Sequence, residues 1–140
     1  MGLQKTVLVN GEYAMQKEAV ADAGITPGMF CEKTATGCKV HATAGARING
    51  RLVAIEDDMQ GKGITDAYVA TDIVRLRALR TGNVVNAILA GSQTVTKALE
   101  LTSNGDGTLK IAGTGDTVVA IAEEAVTTTG AVARILVEMV

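Results

Sequence analysis

The segment Arg134-Ile135-Leu136-Val137-Glu138-Met139 decides the fold class. Ile135, Val137 and Met139 alternate with Arg134, Leu136 and Glu138, and a period of two puts one set on each face of a strand. The pattern predicts a closing strand. Upstream, residues 84–90 are apolar, with Val85, Ala87 and Leu89 on one face. Residues 99–101 and 109–111 flank the turn-rich Ser103-Asn104-Gly105-Asp106-Gly107, and 118–122 reads as a further buried segment. Val74-Arg75-Leu76-Arg77-Ala78 also alternates; a helix over 71–80 ended by Gly82 is the rival reading there. Asn49-Gly50, between 46–48 and 52–55, carries a hairpin signature, as does Asn10-Gly11 after a strand at 6–9. Residues 12–23 fit either an extended arm or a short helix ending at Gly24, and Pro27-Gly28 forces a turn. Turn signals thus recur about every ten residues, the spacing of a sandwich or barrel.

The composition agrees. Hydrophobic residues make up 47% of the 140, yet aromatics only 2%, so the core must be built from Val, Ile, Leu, Ala and Met. Such a core does not favour an aromatic-lined ligand pocket. The net charge is −2 and no basic run appears, which argues against nucleic acid as a partner. No apolar run approaches the roughly 20 residues needed to span a bilayer. The short run Val7-Leu8-Val9 is not the apolar stretch of a signal peptide, so the expected place of synthesis is a cytoplasm.

Residues with reactive chemistry are few. His41 is the single histidine, expected on a strand surface; a β-barrel enzyme centred on it and on Glu56-Asp57-Asp58 is a remote alternative. No zinc, iron or other cofactor is implied, because no second imidazole exists and no nucleotide fingerprint is complete. Glu56-Asp57-Asp58, with Asp66, reads as a solvated loop; binding of a hard cation is the other reading. Cys31 and Cys38, across the Thr36-Gly37 turn, are expected as reduced, half-buried thiols rather than a disulfide. Arg75, Arg77 and Arg80 form a basic stripe, either a solvated strand face or a match for an acidic patch on a partner.

Several segments follow a familiar order. Ile25-Thr26-Pro27-Gly28-Met29 precedes Lys39-Val40-His41-Ala42-Thr43-Ala44-Gly45, then Ala54-Ile55-Glu56-Asp57 and Gln60-Gly61-Lys62-Gly63-Ile64-Thr65-Asp66-Ala67-Tyr68. Thr71-Asp72-Ile73-Val74, the 82–91 stretch, the 103–109 segment, 120–126 and Arg134-Ile135-Leu136-Val137 complete the series. Across residues 7–140 this order resembles the head decoration, or capsid cement, proteins of tailed bacteriophages. Two segments depart from the pattern: Ala98 stands where such proteins often carry Gly, and Met29-Phe30-Cys31 is a variant of the usual aliphatic run.

The resemblance implies a mainly β fold, a small sandwich or barrel-like (β-tulip type) domain with at most one or two short helices. Residues 1–24 would form an N-terminal arm or hairpin and 25–140 a single decoration domain. It implies no catalytic residues, a homotrimer, and the major capsid protein as partner at local threefold positions on the outside of the expanded head. The virion surface would be its location, after synthesis in the bacterial host cytoplasm. Thr6, Val7, Leu8, Val9, Tyr13 and Met15 would form the contact arm, adding a strand to the coat protein. Glu56, Asp57, Asp58, Lys62 and Tyr68 would form a second contact loop. A free-standing adaptor or carrier module is the main rival.

Overall fold

Strand β7 (Val84–Leu89) organises the molecule, because it has strand neighbours on both sides and is almost wholly buried. In the computed structural model, which describes residues 5–140, its partners are β1 (Leu8–Asn10), β10 (Leu109–Ile111) and β13 (Ala133–Met139). From β10 the ladder runs through β9 (Glu100–Ser103) and β11 (Ala120–Ala122) to β13, which pairs with β7 again over Ala133–Glu138. Five strands therefore close into a barrel, which leaves no free edge within the ring. Val85, Ala87, Leu89, Leu101, Leu109, Ala120, Ile135 and Val137 fill it, each fully buried. The inward set of β13 is the apolar set expected from its alternation.

A second sheet runs β2 (Met15–Val20), β6 (Ile73–Ala78), β5 (Leu52–Ala54), β3 (Phe30–Lys33), β4 (Cys38–Val40). It curls until Ala21, just past β2, bridges Cys38 at the start of β4. Cys31, Cys38, Leu52, Ala54, Val74 and Leu76 form its interior. The remaining strands, β8 (Thr94–Val95) and β12 (Val126–Thr127), make a small ribbon.

Strands β3 and β5 explain how the two bodies join. Phe30, Val53 and Ile55 point away from Cys31, Leu52 and Ala54 and pack into the barrel's core cluster. Both faces of β5 are thus buried, which is why it reads as a continuous apolar run rather than an alternating one. The seam is also hydrogen-bonded. Phe30 N–H donates to Gly107 O (2.9 Å), Gly107 N–H to His41 O (3.2 Å), and His41 N–H to Phe30 O (2.8 Å). Gly107 has φ +86, and a Cβ there would meet Met29 and Val40 at 3.0–3.1 Å, so only glycine fits this contact.

Several sequence expectations are corrected. Asn10-Gly11 does not join a hairpin: β1 pairs with β7 and β2 with β6, so the turn carries the chain from one body to the other. Asn49-Gly50 lies in a 3-10 turn (Asn49–Arg51), and residues 46–48 form no strand, because Ile48 is drawn into the barrel core instead. Of the two readings of 12–23 and of 71–80, neither helix forms; both regions hold strands that pair with each other over their full length. Residues 1–4 of the expected arm lie outside the described residues.

Candidate functional site

The segment expected as an arm is laid against the body. Val7 is fully buried in the barrel core, and its N–H donates to Glu56 Oε2 (3.0 Å). Leu8 packs against the same core, while Thr6 is exposed. Val9, Tyr13 and Met15 are the residues this stretch presents, at 43%, 78% and 54% exposure.

Tyr13 is held in that position. Its φ is +65, a left-handed conformation that a bulky residue adopts only when its surroundings impose it. Three consecutive carbonyls are gripped by three side chains from the β6–β7 region. Asn83 Nδ2 donates to Glu12 O (2.8 Å), Arg80 Nε to Tyr13 O (3.0 Å) and Arg77 Nη1 to Ala14 O (3.3 Å). Asn83 is itself buried, and its Oδ1 accepts the Arg80 N–H at 2.8 Å. Two members of the basic stripe therefore serve as an internal clamp. The third, Arg75, is ion-paired with Asp58.

The expected contact loop divides. Glu56 is half-buried and spent on Val7; the Asp57 carbonyl closes the turn at Gln60 and Lys62. Asp58 and Lys62 are exposed. Tyr68 is buried, with its hydroxyl donating to Ile55 O at 2.6 Å, so it faces the core and not a partner. Burial, helped by the charges of Asp57 and Glu56, pushes its phenol up to about 12 against the opposing influence of Arg75. The Val7 N–H to Glu56 bond links the two expected contact sets.

His41 is not on a strand surface; it is 4% exposed. The carbonyl of Arg47 can only accept, so Nε2, at 3.1 Å from it, carries the proton. Nδ1 then accepts from Ser103 Oγ (2.7 Å), which in turn takes the Gly105 N–H (3.2 Å). Glu32 stands 4.0 Å from Nε2. The order Ser-His-Glu has the residue types of a hydrolytic triad, but every polar atom of the imidazole is engaged and Ser103 is 1% exposed. The cluster ties the 41–47 loop to β9.

Cys31 and Cys38 are free and fully buried. Burial raises both thiols, Cys31 far above the ordinary range, and a buried thiol is a poor nucleophile. Among the described residues no group of three or more His, Cys, Asp or Glu side chains is placed to hold a metal.

A groove of about 900 Å³ opens at the end of the curled sheet, beside the barrel. Lys17, Lys33, Arg47, Arg51 and Arg80 line it, and no Asp or Glu side chain does. These five come from four stretches of the chain, so no basic run announces them. A smaller hollow of about 540 Å³ adjoins it and carries Glu32, whose carboxylate is engaged by Lys39 and the Ala42 N–H.

Fold and surface together define a β-rich protein of two fused sheets with sealed polar clusters and one basic groove. Neither a family model nor a curated protein matches the chain.

Proposed function

We propose that this chain is a structural capsid decoration protein that binds the outer surface of an expanded phage head and stabilises it. The clamped tyrosine carries the reading. A solvent-facing aromatic ring held in a strained turn by Asn83, Arg80 and Arg77 has no internal purpose, whereas aromatic side chains dominate the energetics of protein contacts. Val9 and Met15 extend the same presented strip. The order of sequence segments, which resembles that of head decoration proteins, supports the same reading. So does the sealing of His41 and Ser103 inside the fold, where neither is open to a substrate.

The occupant in this reading is the major capsid protein at local threefold positions. Three copies would each supply weak contacts that multiply through effective concentration. The test is co-sedimentation of the purified protein with expanded phage shells. Stoichiometric binding, weakened about tenfold or more by Tyr13→Ala, is the expected result. No co-sedimentation, with the folded protein staying in the supernatant, would favour a free-standing adaptor module.

A further inference from the structure

We infer that the basic groove is a docking site for an extended acidic segment of a partner protein. This goes beyond the capsid reading: the groove, which Met15 and Arg80 share with the tyrosine strip, is cationic, and its test needs no capsid.

Charge makes the first argument. Five of the chain's 13 Lys and Arg residues line this one groove, which leaves eight against 15 acids over the rest of a chain of net charge −2. Among the described residues none of the five is in an ion pair. Their hydrogen bonds go to neutral groups: Arg47 to Asn49 Oδ1 (3.2 Å), Arg51 to Thr81 Oγ1 (3.1 Å) and Arg80 to Tyr13 O (3.0 Å). Clustered like charges repel, and a concave wall concentrates their field, so the groove is set to receive an anion.

The shape selects a polypeptide. Over a buried floor of Ile48, Leu79, Val119 and Met139, the exposed apolar side chains in the groove are Met15 and Val140, at 54% and 43% exposure, and alternate apolar side chains of an extended strand would rest on them. Beside this floor runs β2, whose only ladder partner over Met15–Val20 among the described residues is β6; Gly37 packs against its Val20 end, so the open edge lies toward Met15. Met15 and Lys17 of that edge line the groove. An extended peptide would pair with the open edge, set its carboxylates against the five cations and lay its apolar residues on Met15 and Val140. A polyphosphate chain fits less well, because it has nothing to place against apolar side chains. A lysine in an edge strand also discourages self-pairing, which accords with a site reserved for a charged guest.

The test uses the full-length protein and fluorescent peptides of about ten residues, one alternating Glu with Val and one with every Glu replaced by Gln. Anisotropy is read at about 50 mM and about 300 mM salt, where screening shortens from about 14 to about 6 Å. The Glu peptide should bind at least about tenfold more tightly than the Gln peptide, and lose most of that margin at the higher salt. The double variant Arg47→Gln/Arg51→Gln should abolish the difference, with folding checked by circular dichroism; Lys110→Gln, remote from the groove, should not. Equal binding of the two peptides, no binding of either, or an unaltered preference in the double variant would overturn the proposal. So would tighter binding of a single-stranded oligothymidylate, or a salt-sensitive self-association that the double variant abolishes, since the guest would then be a nucleic acid or a second copy.

Discussion

Ser103 Oγ lies 2.7 Å from His41 Nδ1, joining residues 62 positions apart across the seam between the two sheets. Both side chains are buried, and each has a second partner that fixes its role. The imidazole serves here as a rigid bridge, accepting on one side and donating on the other.

Replacement of Ser103 by alanine leaves His41 Nδ1 and the Gly105 N–H without partners in a buried site. The expected loss is about 1–3 kcal/mol of unfolding free energy, read as a lower urea midpoint at unchanged slope. Ser92→Ala, at an exposed position, should stay within about 0.5 kcal/mol. Equal effects of the two would contradict the bridge.

Asn83 performs the equivalent task for the tyrosine turn, bonding Glu12 O and the Arg80 N–H at 2.8 Å each. Asn83→Ala should cost about 1–3 kcal/mol and release the turn. Faster hydrogen exchange at residues 11–15, with the amides of β13 unaffected, is the signature to measure.

Ala98 has φ +73 and is exposed, a left-handed conformation that a Cβ disfavours by about 1–2 kcal/mol. Ala98→Gly relieves that strain, offset in part by the flexibility glycine adds to the unfolded chain. A net stabilisation of about 0.5–1 kcal/mol is expected from thermal unfolding.

Tyr68 contributes to the alkaline limit, alongside Cys31 and Cys38, whose thiols burial also raises. Its phenol is raised from 10.0 to about 12 in the folded state, so folding favours the protonated form. The stabilisation is whole below pH 10 and drains away as pH rises from about 10 through about 12. Tyrosinate absorbance of Tyr13→Phe, which leaves Tyr68 as the only tyrosine, should therefore titrate near pH 12 or jump with unfolding. Tyr68→Phe should lose about 1–2 kcal/mol at neutral pH with its hydrogen bond to Ile55 O, yet show a flatter decline in alkali.

The sequence by itself determined the β class and which residues face inward on many strands. Ile135, Val137 and Met139, and likewise Val85, Ala87 and Leu89, lie in the core as their alternation requires, because side-chain direction along a strand follows from backbone geometry alone. The turn at 103–107 also lay open to reading, since Gly105 and Gly107 supply the positive φ it needs.

Tertiary structure alone decided which strand meets which. Asn10-Gly11 has hairpin chemistry, yet its flanking strands belong to different sheets, because burying Val7 in the barrel outweighs a local pairing. The same long-range choices put His41 inside against Ser103, turned Arg77 and Arg80 into a clamp, and brought Lys17, Lys33, Arg47 and Arg51 to one groove. Alternation is a local property with a period of two; strand partnership is set by the apolar area that distant segments hide together, and no window of sequence contains both partners.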